Sequence, residues 1–157
     1  MELLFGQSNW VRRLQSVNVA SMDFDLNYNL IVAGEFFGST DINFDAGVLT
    51  FNVIAGAFCD TYIMEVSAAG AFTWAKQLRT TSSLATVIDE NYPESVAVDD
   101  LDNIIITGWL NGSMDLDPGL QRSPLMPIQM MVYTLPKYSN VGNYVWGGVV
   151  VGASVGL

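Results

Sequence analysis

The chain has 157 residues, of which 50% are hydrophobic and 14% are charged, a composition typical of one globular domain and not of a disordered segment. Acidic residues outnumber basic residues 16 to 6, for a formal charge of -10, which is the wrong sign for a nucleic-acid-binding surface. There is no histidine and a single cysteine, Cys59, which excludes His-based zinc sites, Ser-His or Cys-His nucleophiles and internal disulfides.

The first 14 residues lack the basic start and the long apolar core of a signal peptide. They contain the pattern G-x-x-x-W-x-x-x-[L/V], which begins at Gly6 and recurs from Gly70 and from Gly142. We interpret each copy as a turn glycine followed by a strand whose Trp packs between neighbouring sheets. Residues 1–14 are then expected to be the tail of a truncated unit, so that the chain begins in mid-unit.

Residues 17–78 are predicted to form a complete unit of four main strands. Apolar residues alternate with polar ones around Met22 and Phe24, as in a half-buried strand, whereas the apolar run Leu30 to Phe37 predicts a central strand buried on both faces. The remaining elements of this unit are a loop from Gly38 to Gly47, a short extra strand from Thr50 to Ile54, a third strand from Thr61 to Ser67 and a fourth from Phe72 to Leu78. Cys59 lies in an apolar run and is expected to be buried and unreactive.

Residues 79–94 are predicted to form the longest polar connection. Such an insertion is a common place for binding specificity, and an insertion without a role is an equally simple interpretation. The connection contains Asp89, Glu90 and Glu94, and two carboxylates at a suitable separation can act as acid and nucleophile in a glycoside hydrolase. A solvated acidic loop is the simpler interpretation, so we do not predict a catalytic residue.

Residues 95–150 are predicted to form a second complete unit that repeats the first. At a constant spacing of 74 residues, five positions agree: Asn29 with Asn103, Gly34 with Gly108, Gly38 with Gly112, Ser39 with Ser113, and Asp41 with Asp115. A repeat of this kind implies units that bury their apolar faces against one another. Pro136 lies inside a predicted strand and should disturb its pairing. The apolar tail from Gly147 to Leu157 is too short to span a bilayer, which takes ~20 residues.

Acidic residues follow the central strand of each unit. Hard cations such as calcium prefer several oxygen ligands, so calcium is the one candidate cofactor, and its candidate ligands are Asp41, Asp45, Asp115 and Asp117. Asp also begins turns by accepting hydrogen bonds from its own backbone, and we favour that structural role. The segments at 23–27 and 99–103 have the acidic spacing of an EF-hand start but lack its glycine and closing glutamate, so we interpret them as hairpin turns.

The sequence resembles the SBBP-type bacterial β-propeller repeats over nearly its whole length. The matching residues are Asp99, Asn103, Thr107, Gly108, Asp115, Asp117, Pro118 and Gly119, together with Trp74, Ala75 and Lys76. The sequence departs from the pattern at Asp102, where the repeats have a turn glycine, at Ala46, where they have a loop proline, and at Pro136.

The resemblance implies an all-β fold of tandem four-stranded antiparallel propeller-type blades in a single domain over residues 1–157. Its parts would be the tail of a blade at 1–14, a blade at 17–78 and a blade at 95–150. Propellers close with 4–8 blades, so each chain would supply an incomplete ring. We therefore expect a homo-oligomer acting as a non-catalytic binding or assembly module, whose further partner is a protein or a glycan. The alternatives are a carboxylate-dependent carbohydrate-active enzyme or a calcium-binding surface module. The resemblance implies a secreted or cell-surface protein, whereas the sequence predicts no signal peptide.

Overall fold

The computed structural model describes residues 10–11, 13–43, 51–80, 90–112, 114–117 and 128–150. These residues form antiparallel sheets and contain no helix, which confirms the predicted all-β class. In this part of the chain no helix is long and apolar enough to cross a membrane. The strands are β1 (Val17–Phe24), β2 (Leu30–Asp41), β3 (Asn52–Val66), β4 (Phe72–Thr80), β5 (Glu90–Val98), β6 (Ile104–Gly112), β7 (Met114–Asp115), β8 (Ile128–Tyr138) and β9 (Tyr144–Val150).

The strands are arranged in two sheets whose spatial order nearly follows the chain. The first sheet has the order β1-β2-β3-β4-β7, and the second has the order β5-β6-β8-β9. All neighbouring strands are antiparallel. Each predicted four-strand unit therefore contributes one meander of four antiparallel strands, and β7 of the second unit pairs with β4 of the first.

Four hairpin turns have the same geometry in both sheets. One residue in each adopts a positive φ: Tyr28 (61°), Gly70 (81°), Asp102 (58°) and Gly142 (75°). The N–H of that residue donates to a carbonyl three residues earlier, for example from Asp102 to Asp99 at 2.9 Å. This is the three-residue hairpin loop that ends in a left-handed residue. Asp102 thus occupies in its hairpin the position that Gly142 fills in the hairpin between β8 and β9 of the same sheet.

Gly34 and Gly108 are equivalent positions where another backbone comes close. A Cβ at Gly34 would overlap the carbonyl oxygen of Asn18, and a Cβ at Gly108 would overlap the carbonyl oxygen of Tyr92. Each glycine lies opposite a register shift in the edge strand, in β1 for Gly34 and in β5 for Gly108. The shifted edge strand leaves room only for a hydrogen.

The predicted boundaries in the middle of the first unit are wrong. The loop expected from Gly38 to Gly47 begins later, because β2 continues to Asp41. The separate strand expected from Thr50 to Ile54 is the start of one long β3, Asn52–Val66. A bulge between Phe37 and Ser39 shifts the register, after which β2 and β3 pair again. Residues 55–58 of β3 lie opposite the single residue Gly38 of β2. Such an irregularity does not end a strand, but in the sequence pattern it resembles a strand end.

The predicted polar connection is also shorter than expected. Arg79 and Thr80 belong to β4, and residues 90–94 belong to β5. Residues 81–89 lie outside the described part of the chain.

Pro136 interrupts its strand pairing, as predicted. The ladder between β6 and β8 pairs Ile105 with Lys137 and resumes only at Gly108 with Thr134. On its other side, Pro136 lies opposite Gly147 in β9, next to a register shift at Lys137. A proline cannot donate to a ladder, and the gap on the β6 side has that cause.

The main core lies between the two sheets. The first sheet contributes Ile31, Ala33, Ile63 and Leu78, the second contributes Val96, Ile104, Ile106, Leu110 and Tyr138, and the segment around β7 contributes Met114 and Leu116. A second cluster covers the opposite side of the first sheet, where Trp10 and Leu14 pack over Val32, Phe36, Met64 and Val66. The first sheet is thus apolar on both faces, as the pattern from Leu30 to Phe37 predicts.

Candidate functional site

Two of the predicted calcium ligands, Asp41 and Asp115, act as turn formers. Asp41 lies at the end of β2, and its Oδ1 accepts hydrogen bonds from the backbone N–H of Asn43 at 3.0 Å and of Phe51 at 2.8 Å. Asp115 lies in β7, and its Oδ1 accepts from the N–H of Asp117 at 2.9 Å. Each carboxylate therefore holds local backbone in place, which is the structural role that the sequence favoured.

The other acidic candidates do not add a described cluster. Asp45 and Asp89 lie outside the described residues, and Glu90 is described only through its backbone, at the start of β5. Glu94 is exposed on β5, at the register shift between Pro93 and Ser95. Within the described ranges, no three His, Cys, Asp or Glu side chains lie together as a metal site would require. Calcium binding and paired-carboxylate catalysis both stay predictions from the sequence.

Asp25 and Asp99 organise the two hairpins that share acidic spacing with an EF-hand. Oδ1 of Asp25 accepts from the N–H of Asn27 and of Asn29, at 2.9 and 2.7 Å. Oδ1 of Asp99 accepts in the same way from the N–H of Asn103 at 2.8 Å. The interpretation as hairpin turns is confirmed.

Asp99 also forms an ion pair with Lys137, whose Nζ lies 2.7 Å from its Oδ2. The hydrogen bond from Lys137, followed by that from the backbone of Asn103, lowers the pKa of Asp99 well below its usual range. The same lysine stands at the position that Glu65 has in the first unit, 72 residues earlier.

A buried polar cluster on β3 and β4 is absent from the sequence-based candidates. Asp60 is fully buried, and its Oδ1 accepts from the N–H of Thr80 at 2.8 Å and from the hydroxyl of Thr80 at 2.6 Å. Its Oδ2 accepts from Nε2 of Gln77 at 2.6 Å. A buried carboxylate supplied with three donors is satisfied in place, so this cluster fixes the end of β4 and offers no reactive group.

A second polar cluster joins the two sheets beside it. The hydroxyl of Thr61 donates to Oδ1 of Asn91, and Nδ2 of Asn91 donates to the carbonyl of Leu78 at 3.2 Å. Cys59 is fully buried and its Sγ lies 3.6 Å from the carbonyl oxygen of Asn91, so the predicted burial is confirmed. Asn91 comes from β5, and it therefore ties the edge of the second sheet to β3 and β4.

The most regular feature of the molecule is a contact between a Trp and a turn glycine. A Cβ at Gly70 would lie 2.5 Å from the indole Cγ of Trp10. A Cβ at Gly142 would lie 3.0 Å from the indole Cζ3 of Trp74. The Trp of each G-x-x-x-W pattern thus lies over the glycine of the next one along the chain. Each contact connects one unit with the unit that follows it.

The series stops at Trp146. This third Trp is 43% exposed, so the prediction that every Trp of the pattern is packed between sheets is wrong for Trp146 among the described residues. The indole N–H of Trp74 donates to Glu65 at 3.0 Å. The residue paired with Trp146 on β8 is Lys137, which has no acceptor atom. The ring of Trp146 is therefore partly accessible to a partner.

The outer face of the second sheet is equivalent to the buried face of the first sheet. In the first sheet Ile31, Ala33, Ile63 and Leu78 are at most 1% exposed, because the second sheet covers them. Their counterparts Ile105, Thr107 and Leu135 are only half-buried, and Val150, the counterpart of Leu78, is 62% exposed. The same positions of the repeat are thus buried in one unit and open in the other.

On the opposite face of the first sheet the difference in exposure is reversed: here the residues of the first sheet are open and their counterparts in the second sheet are buried. Met22 in β1 is 59% exposed, whereas its counterpart Val96 in β5 is 5% exposed. Leu30 is half-buried and its counterpart Ile104 is 1% exposed. A groove of about 340 Å³ lies at this place, lined by Trp10, Leu14, Val17, Met22, Leu30 and Met64. We call it the Trp10 groove.

Burial raises the pKa of two tyrosines and one glutamate and thereby favours their neutral forms. Burial, and then the charge of Glu35, raises the pKa of Tyr62 well above its ordinary value. Burial likewise raises the pKa of Tyr138, whose hydroxyl donates to the carbonyl of Leu116 at 2.8 Å. Burial raises the pKa of Glu65 more than the hydrogen bond from Trp74 lowers it. These groups serve as hydrogen-bond partners that hold strands together.

Comparison with known proteins identifies no relative: no family model matches the sequence, and no curated protein and no solved structure is significantly similar to it.

Proposed function

We propose that the chain is a non-catalytic assembly module built from propeller-type blades, which associates with further copies of itself through the outer faces of its two sheets. The observation that carries this proposal is the series of Trp–glycine contacts, which connects consecutive units and ends with the half-exposed indole of Trp146. A contact that occurs twice within the chain, together with a half-exposed indole at the equivalent third position, favours a partner surface of the same kind.

The two meanders support blades as their structural unit. Each has four antiparallel strands in chain order, the two stack face to face around one apolar core, and Trp74 of the first contacts Gly142 of the second. Propellers have 4–8 such blades. Two stacked blades have two outer faces. The residues on these outer faces occupy the same repeat positions as the residues that pack together between the blades.

The chemistry of the outer faces favours a protein sheet over a glycan. The face of the second sheet carries the aliphatic side chains of Ile105, Leu135 and Val150. Its aromatic pair, Tyr92 and Trp109, is stacked at 4.8 Å between ring centroids, so each ring already uses one face on the other. Glycan sites need open aromatic faces and several polar groups, whereas contiguous aliphatic surface is typical of protein contacts.

The test is the solution mass by light scattering on a sizing column over a range of concentrations. We expect a discrete multiple of 17.1 kDa, and we expect Val150→Asp to reduce it to a single protomer because the charge would enter the buried face. Leu101→Asp is the matched control, since Leu101 is 80% exposed in a hairpin turn. A single protomer for the unmodified chain up to on the order of 100 μM would overturn the proposal.

A further inference from the structure

We infer that the segment carrying Trp10 and Leu14 holds the place of a neighbour's last strand, so that Trp146 of one copy and Trp10 of the next compete for the same position over Gly70. The inference rests on the proposed self-association, and it specifies which faces meet and what stands between them. The partner to which it commits is a second copy of this chain, bound head to tail.

The internal interface defines the geometry of such a contact. Inside the chain, the face of the first sheet that carries Ile31 and Ile63 packs on the face of the second sheet that carries Val96 and Ile106. The positions equivalent to the Ile31 and Ile63 face lie on the outside of the second sheet. The positions equivalent to the Val96 and Ile106 face line the Trp10 groove. Each chain thus carries both halves of a second interface of the same kind, and two different faces meeting form a heterologous contact that can repeat.

The position of Trp10 follows from that geometry. Trp74 of the first sheet lies over Gly142 of the second sheet. If the second sheet of one copy packs on the first sheet of another in the same way, its Trp146 comes to lie over Gly70. Trp10 already lies there, with its indole Cγ 2.5 Å from where a Cβ of Gly70 would be. Both indoles cannot occupy one glycine surface.

The described segment around Trp10 covers only part of the face. Trp10 and Leu14 pack against the cluster beneath β2 and β3, while Met22 on β1 stays 59% exposed. In the internal interface the equivalent positions on β5 are covered by β1, β2 and β3 together. Trp10 and Leu14 therefore take the place of one strand of a neighbouring sheet, and the Trp10 groove remains where the other strands would lie. A bound copy must displace this segment, which makes the segment a limit on assembly.

The test compares the association of full-length variants by sedimentation velocity. We expect Trp146→Ala to weaken association at least tenfold, because the docking ring is lost. We expect Trp10→Ala to strengthen association at least tenfold, because the competing ring is lost, and we expect the double variant to behave like Trp146→Ala alone. Val11→Ala is the matched control for the segment, since Val11 is 89% exposed beside Trp10.

Two outcomes are decisive in opposite ways. Association that depends on Trp146 but is unchanged or weakened by Trp10→Ala would overturn this inference and leave the proposed function standing. Absence of association in every variant, including the unmodified chain, would overturn the proposed function itself. Because Trp10→Ala also removes packing, Trp10→Phe serves as a milder second variant, for which we expect a smaller gain in the same direction, and a thermal melt of each variant confirms that it is folded.

Discussion

The indole of Trp74 lies over Gly142, with ring atom Cζ3 3.0 Å from where a Cβ of that glycine would stand. Trp74 belongs to β4 in the first sheet, and Gly142 belongs to the hairpin between β8 and β9 in the second. This contact joins two meanders that are otherwise separate sheets. Glycine is favoured at position 142 for two reasons, since the residue has a positive φ of 75° and a Cβ would be packed tightly against Trp74.

The contact predicts different costs for two equivalent Trp residues. Trp74→Ala should lower the free energy of unfolding by about 2–4 kcal/mol, because it empties a site that is packed between sheets. Trp146→Ala, measured at concentrations where the chain is a single protomer, should lower it by less than about 1 kcal/mol, because the ring is 43% exposed. Urea denaturation of both variants checks this. Equal losses would contradict the assignment of the two environments.

The hairpin geometry predicts a stabilising substitution at Tyr28. This residue is held at φ 61° and is 77% exposed, so Tyr28→Gly should raise the free energy of unfolding by about 0.5–1 kcal/mol by removing left-handed strain. Asp102 has the same φ, but its Oδ1 accepts from the N–H of Leu26 at 2.8 Å, so Asp102→Gly should gain less. Asn27→Gly, next to Tyr28 without a positive φ, is the control and should destabilise slightly. A loss of stability in Tyr28→Gly would show that its side chain has a role.

The close approach of the Asn18 carbonyl to Gly34 predicts that adding one methyl group at this position strongly destabilises the fold. Gly34→Ala should lower the free energy of unfolding by more than about 2 kcal/mol, because its Cβ would overlap the carbonyl of Asn18 and lie 2.7 Å from the hydroxyl of Tyr62. Gly148→Ala is the matched control, since no atom lies within 4 Å of the Cβ it would add. Thermal melts of the pair suffice, and a neutral Gly34→Ala would mean that β1 moves away at low cost.

The raised pKa of Glu65 predicts that the difference in stability between the unmodified chain and Glu65→Gln depends on pH. Its pKa is raised by burial, so the folded chain keeps a proton that the unfolded chain loses as pH rises through the interval between the ordinary and the raised pKa. Stability associated with this group is therefore present below that interval and is lost above it. Glu65→Gln keeps an acceptor for the N–H of Trp74 and carries no charge.

The expected result is a melting temperature for Glu65→Gln that matches the unmodified chain near pH 4 and exceeds it by about 1–3 °C at pH 7. Glu94→Gln is the control, because Glu94 is exposed on β5. A difference that stays constant with pH would mean that the substitution acts through packing and not through the charge.

Local patterns predicted most of the strands, and non-local contacts account for the errors. The strands that contain Met22 and Ile104 could be predicted, because alternation and apolar runs are patterns of a few adjacent residues. The pairing of Arg79 with Asp115 in β7 joins residues far apart in the chain, and no periodicity reports it. The sequence predicts two strands in place of the one long β3, because the irregular pairing opposite Gly38 resembles a strand end in the sequence pattern.

The candidate site shows the same division. The roles of Asp41 and Asp115 as turn formers follow from their own sequence neighbourhood, and they were predicted. Asp60 was missed because its donors, Thr80 and Gln77, come from the next strand. The exposure of Trp146 could not be predicted from its pattern, since the same pattern places Trp74 in a packed seam.

The chain-order arrangement of the sheets has a consequence during synthesis. A ribosome adds about 5–20 residues per second and domains fold as they emerge, so β1 to β4 can pair while β5 to β9 are still being made. Until the second sheet arrives, the side chains of Ile31, Ala33, Ile63 and Leu78 face water on a sheet of four strands, which β7 has not yet joined. The nascent chain thus passes through a state with an open apolar surface, in which slowing of translation between Thr80 and Glu90 would prolong its exposure to chaperones and to other nascent chains.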